Sequence, residues 1–149
     1  MFLCYNQLME DTGSLLNRLN KAKRHADLES HIDSLDGVAS KGYGAYLQKY
    51  LGEHDMSVAD LSKRALMDRS YCYQIIRGEK HPGRDKIIAI ALACGMSLEE
   101  TQRGLEIASE GILYSRSRRD SIIIFAVNNK LSVVTANALL EQYKETALS

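Results

Sequence analysis

The sequence predicts an all-α protein, and three observations carry that prediction. No segment alternates polar and apolar residues with period two, whereas apolar residues recur at three- and four-residue spacing along most of the chain. The 149 residues include a single proline, Pro82, and no run dominated by Pro, Gly or Ser, which argues against long linkers. Three phrases, Met56-Ser57-Val58, Met96-Ser97-Leu98 and Leu131-Ser132-Val133, each set a serine after an apolar residue. A serine so placed satisfies orphan backbone N–H groups at a helix start, so each phrase marks a turn between two helices. Asp60 and Glu100 stand three positions beyond Ser57 and Ser97, which makes two of the phrases resemble capping boxes.

From the N-terminus, the polar stretch Ser14 to Leu35 is helical by propensity, with Leu15, Leu19, Ala22 and Ala26 at helical spacing. The stretch Gly37 to Gly44, with three glycines, reads as a break. Helices are then expected over Ala45–Glu53, Val58–Ala65, Arg69–Arg77, Asp85–Cys94, Leu98–Ser109, Arg119–Asn128 and Val133–Glu145. This gives three regions: an N-terminal helical segment over 1–44, a central domain over 45–97 and a C-terminal hairpin extension over 98–149.

The last two hairpins also match each other at a shift of 35 positions. Arg84 to Ala108 lies over Arg119 to Tyr143 with eight identities in 25 positions, among them Arg84/Arg119, Asp85/Asp120, Ile87/Ile122 and Ile88/Ile123. Much of this is helix-face apolarity, but the paired Arg-Asp-x-Ile-Ile openings predict two hairpins packed in similar fashion. Two copies fall short of a solenoid, for which about three are usual.

Composition excludes several classes. Nineteen basic residues balance nineteen acidic ones, so any contact with nucleic acid must come from local charge placement. The three cysteines, Cys4, Cys72 and Cys94, are odd in number and far apart, which suits a reducing cytoplasm better than a disulfide framework or a metal cluster. His25, His31, His54 and His81 have no metal-ligand spacing. No apolar run approaches the roughly 20 residues that span a bilayer. Met1 to Leu8 is too short and uncharged for a signal peptide, and Met9 offers an alternative initiator. No nucleophile elbow, Walker loop, His-Glu-x-x-His or paired-carboxylate pattern is present, so neither an enzyme nor a cofactor is expected.

One segment carries functional information. Asp68 is a good N-cap, and the helix after it runs Arg69-Ser70-Tyr71-Cys72-Tyr73-Gln74-Ile75-Ile76-Arg77 before Gly78. Cys72, Ile75 and Ile76 form an inward face, leaving Arg69, Ser70, Tyr73, Gln74 and Arg77 outward. All five outward side chains can hydrogen-bond to base edges or phosphates, and none is acidic. From Lys63 to Lys86 there are seven basic and three acidic residues, a local charge of +4 in a neutral chain. The cluster Arg116-Ser117-Arg118-Arg119 is open between a second phosphate contact and a solvated turn pairing with Glu110 and Asp120.

Ser57-x-x-x-Leu61-Ser62-x-x-Ala65, Asp68-Arg69-Ser70-x-x-x-x-Ile75, Gly78-Glu79-Lys80-His81-Pro82 and Lys86-Ile87-Ile88-x-x-Ala91 together resemble the phage-repressor (Xre-family) helix-turn-helix. The resemblance covers about Ala45 to Leu98 and implies a five-helix, lambda-repressor-like domain whose helix near 68–77 enters the major groove of double-stranded DNA. It implies base contacts from Arg69, Ser70 and Gln74, and phosphate contacts from Ser57, Tyr73, Arg77, Lys80 and Arg84. It implies a transcriptional regulator acting as a homodimer, since one such helix covers only a half-site. Two positions depart from the pattern: Val58 stands where Gln is usual, and Leu66 where the turn residue is usually Gly. They favour a second reading, a protein-interaction adaptor that keeps the frame without DNA.

Overall fold

The computed structural model describes residues 12–35 and 38–149. Cys4, Met9 and Gly37 lie outside the described residues. Within them every regular element is a helix: α1 Thr12–Lys21, α2 His25–Leu35, α3 Val38–Glu53, α4 Val58–Ala65, α5 Arg69–Ile76, α6 Arg84–Cys94, α7 Leu98–Ile107, α8 Arg118–Asn128 and α9 Val133–Gln142.

The N-terminal segment is two helices rather than one. The Asp27 carboxylate accepts from the backbone N–H groups of Lys23 and Arg24 (3.4 and 3.2 Å) and from the Arg24 guanidinium, which caps a fresh start at His25. These contacts to Arg24 and Lys23 hold the exposed Asp27 carboxyl below its usual range.

The expected break at Gly37 to Gly44 is overturned. Helix α3 begins at Val38 and runs unbroken through Gly42 and Gly44. Each glycine costs a helix about 1 kcal/mol. Burial of Tyr43, Tyr46, Leu47, Tyr50 and Leu51 along one side of α3 outweighs that cost. Two phenols fix its azimuth: Tyr46 Oη donates to Glu100 O (2.9 Å) and Tyr50 Oη donates to Cys94 O (3.2 Å).

The other boundaries follow the caps. Ser57, Asp68, Ser97, Ser117 and Ser132 each accept a backbone N–H from the first turn they precede. The reciprocal box closes at Ser97, where Glu100 Oε1 accepts the Ser97 N–H at 2.9 Å. Beyond its charged first turn helix α6 is apolar all round, and every residue from Ile87 to Cys94 is buried, because α4, α7, α8 and α9 pack against it. Burial pushes the Cys94 thiol up to about 12. Helix α7 packs on both α3 and α6, so the core passes without interruption through position 97, where the sequence suggested a boundary.

The 35-residue repeat is a structural one, and it closes on itself. Arg84 sends Nη2 and Nη1 to the two carboxylate oxygens of Asp120 (2.8 and 3.1 Å), and Arg119 sends Nη2 and Nη1 to those of Asp85 (3.0 and 3.1 Å). Arg84 Nε also donates to Gly111 O and Nη2 to Ile112 O; Arg119 Nε donates to Thr146 O and Nη2 to Ala147 O. The backbone N–H of Tyr114 donates to Asp120, and that of Ser149 to Asp85. Leu113 N–H donates to the Gln102 amide oxygen as Leu148 N–H does to that of Asn137. Every one of these pairs obeys the same shift, including the segment beyond Ala108. A stacked repeat would hand each contact onward. Here each arginine returns to the other repeat's aspartate, as in an isologous two-fold contact. Equivalent positions meet near the axis, where Lys130 Nζ donates to Gly95 O at 2.7 Å.

Candidate nucleic-acid interface

Helix α5 is short, and its exposure pattern follows from its sequence. Asp68 Oδ1 accepts the Ser70 N–H (3.0 Å) and starts the helix. Cys72 and Ile75 are fully buried, while Tyr71 and Ile76 are half-buried against the core. At about 100° per residue, Arg69, Tyr73, Arg77, Ser70 and Gln74 fall on one continuous outward arc. Arg69, Ser70, Tyr73 and Arg77 are exposed, and Gln74, at the edge of the arc, is half-buried. The helix stops at Gly78, whose φ of +76° suits a residue without a Cβ. The Gln74 carbonyl then accepts the N–H groups of Glu79 and Lys80 (2.8 and 3.2 Å), which folds the basic turn back beside the helix end.

The orientation of α5 is set from behind. A Cβ on Gly44 would lie 2.5 Å from Ile75 O and 2.7 Å from Ile76 O, so the backbones of α3 and α5 touch there. In front, the Ser62 hydroxyl donates to Met67 O and holds the turn between α4 and α5. That turn contains Leu66 in the left-handed region (φ 58°, ψ 41°), and its side chain is 62% exposed. A side chain there costs roughly 1–2 kcal/mol and Leu66 recovers little of it by packing. Leu66→Gly is therefore expected to stabilise the protein by about 1 kcal/mol, net of the greater freedom of glycine in the unfolded chain. A rise of a few degrees in Tm checks this; a fall would show that Leu66 makes a contact worth more than its strain.

The phosphate candidates separate in the structure. Ser57 is exposed at the start of α4, where its oxygen accepts the Asp60 N–H at 3.1 Å and leaves its own proton to donate. Lys80 is exposed. Arg77 forms an exposed ion pair with Glu79 (3.1 Å), a contact of little energy that a phosphate can replace. Arg84 has to be corrected. Its guanidinium is engaged by Asp120, Gly111 and Ile112, and these partners hold it inside the protein rather than at a phosphate. The hydrogen bond and charge of Asp120 raise its pKa further, so it stays cationic.

Arg119 and Arg118 are committed as well, to Asp85 and to Glu145 (3.4 Å) respectively. Of the two readings left open for this cluster, the turn pairing does not use the suggested partners, since Asp120 pairs with Arg84 and Glu110 faces His81.

The outward arc of α5 is fixed by its cap and by close contact with α3. The helix-turn-helix family model matches residues 47–100, roughly a third of the chain. Over that segment the chain is similar to the lambda-repressor and Xre-like helix-turn-helix domains. No curated protein and no solved structure matches the chain. The helix-turn-helix family is one of DNA-binding domains rather than enzymes. The matched range opens inside α3 and closes inside α7, taking in α4, the turn at Leu66 and α5 as its central unit. Among the described residues no helix is long and apolar enough to cross a membrane.

Proposed function

We propose that this protein is a sequence-specific regulator of transcription that reads the major groove of double-stranded DNA with α5 and acts in the cytoplasm as a homodimer. One observation carries the reading: the outward arc of α5 presents Arg69, Ser70, Tyr73, Gln74 and Arg77 with no carboxylate after the cap. Arg69 is suited to guanine O6 and N7, Gln74 to adenine N6 and N7, and Ser70 to either class of edge. Ser57, Tyr73, Arg77 and Lys80 are the phosphate contacts of this reading. Two copies are needed because a single recognition helix spans a half-site.

The test is a gel-shift series on duplexes selected from a random pool. Arg69→Ala with Gln74→Ala is expected to remove about 2–6 kcal/mol of specific binding, two base contacts at about 1–3 kcal/mol each. Because neither side chain is core, stability should stay within about 0.5 kcal/mol of wild type, with Tm nearly unchanged. Unchanged binding by the double variant would reject the assignment of that face.

Val58 favours the second reading, an adaptor. It is half-buried and packed against the core, with no polar group to brace a phosphate. The salt dependence of binding to random duplex separates the two readings. A regulator loses affinity steeply, by about 0.9 in logarithmic slope for each phosphate contacted, whereas an adaptor fails to bind even at low salt.

A further inference from the structure

The loop 108–117 joins α7 to α8 and lies beyond the segment that the family model matches. It is held along most of its length. Glu110 N–H donates to Leu105 O (2.8 Å), and Arg84 donates to Gly111 O and Ile112 O (2.8 and 2.9 Å). Leu113 is buried and exchanges both of its backbone bonds with the Gln102 amide (2.7 and 2.8 Å). Tyr114 N–H donates to Asp120 (2.9 Å), Ser121 Oγ donates to Ser115 O (2.8 Å), and Ser117 N–H closes the turn on Tyr114 O (2.9 Å). This frame leaves Ile112, Tyr114 and Arg116 outward, with Tyr114 58% exposed. Arg116 differs from the arginines that follow it. Arg118 pairs with Glu145 and Arg119 with Asp85, whereas the Arg116 guanidinium has no partner among the described residues.

The loop adjoins the basic turn that follows α5. His81 Nε2 lies 3.7 Å from Glu110 Oε1, and Arg84, three residues beyond His81, is the side chain that grips Gly111 and Ile112. The Gln74 carbonyl in turn ties Glu79 and Lys80 to the end of α5. The outward arc of α5, the turn and the loop are therefore joined by successive contacts. Along the turn and the loop, Glu79 pairs with Arg77 and Glu110 faces His81. Lys80 and Arg116 are the cations left there without a carboxylate among the described residues. A free guanidinium takes phosphate oxygens two at a time, a phenol adds one donor, and a loop already fixed loses little entropy on binding. We propose that the loop 108–117 is a second contact with the DNA backbone, in which Arg116 and Tyr114 donate to phosphates flanking the half-site read by α5. It rests on the reading of the protein as a DNA-binding regulator and extends that interface into the hairpin extension.

Gel shifts of the full chain across a salt series, together with phosphate-ethylation interference, test it. Arg116→Ala is expected to weaken selected and random duplexes by the same factor and to lower the salt slope by about 0.9. It should also abolish interference at a phosphate flanking the half-site. Arg118→Ala removes the same charge two positions away, from a side chain held by Glu145 and Tyr143 O, and should leave slope and interference as in wild type. Tyr114→Phe should weaken binding less than Arg116→Ala, again without altering sequence preference. Both positions are exposed, so Tm should hold in circular dichroism melts. If Arg116→Ala and Arg118→Ala bind alike, or if loss of Arg116 changes base preference, the proposal falls and the reading of α5 stands. Flanking interference lost with Arg116→Ala, in a protein whose preference survives Arg69→Ala with Gln74→Ala, would uphold the loop and reject α5 as the reader. Wild type that binds no duplex even at low salt would overturn both.

Discussion

Asp120→Ala is expected to destabilise the protein by about 3 kcal/mol, the low end of the cost of removing one partner from a buried ion pair. Asp120 is 6% exposed and takes both terminal nitrogens of Arg84 together with the Tyr114 N–H. Its loss strands a half-buried guanidinium and a backbone donor at the junction of the two repeats. The reciprocal substitution, Asp85→Ala, should cost less, because the Asp85 and Arg119 side chains keep 23% and 21% of their exposure. The two variants therefore rank the arms of one pseudo-symmetric clamp by burial. Equal destabilisation in urea melts would show that burial does not set the energy of this clamp.

The same carboxyl predicts a pH dependence. Burial alone raises the pKa of Asp120, but the hydrogen bond from Arg84, the Tyr114 N–H and the charges of Arg84 and Arg119 outweigh it and hold it below the usual carboxylate range. Between the folded and unfolded pKa values the unfolded chain binds more protons, so stability rises with pH through that interval. The contribution is complete above the unfolded value of about 3.9 and is lost as pH falls through the folded one. The gap between wild type and Asp120→Asn should accordingly be constant at neutral pH and shrink in acid. A gap that instead widened below pH 4 would reverse the sign of the coupling.

The legible parts of the fold were those written in local chemistry. Ser57, Asp68, Ser97 and Ser132 mark helix starts because a cap needs only its own first turn, and all four lie where the sequence puts them. The split at Lys23-Arg24 had a comparable signal in Asp27, masked by a continuous helical spacing on either side. Arg84 was misread because its partner lies 36 residues away. Charge near a recognition helix suggests phosphate, and only the duplicated Arg-Asp pair pointed elsewhere. That duplication signalled similar hairpins, but the crossing of the contacts is a property of the two-fold packing and is absent from either copy alone. Within α5 the outward arc was legible from period alone, since an eight-residue helix with Cys72 and Ile75 inward leaves little choice for the rest.

Gly44→Ala is the other large effect, and it separates the two meanings of a glycine. Read along the chain, Gly44 belongs to a helix-breaking cluster, and alanine there would improve helix propensity by about 1 kcal/mol. Read in space, the added methyl meets Ile75 O and Ile76 O at 2.5 and 2.7 Å. Both are backbone atoms at the end of α5, with no side-chain rotation to relieve them. The clash is relieved only by moving α3 and α5 apart, and overpacking of this kind costs about 1–3 kcal/mol or more. The substitution is therefore expected to destabilise by about 2 kcal/mol in spite of its propensity. DNA binding should fall further than Arg69→Ala alone lowers it, because the whole outward arc shifts and not one side chain. Gly52 serves as the control: it lies in the same helix with nothing within 4 Å of its Cβ position, so Gly52→Ala should be neutral or stabilising. If Gly44→Ala proved as stable as Gly52→Ala, the close approach of the two helices could not be what orients α5.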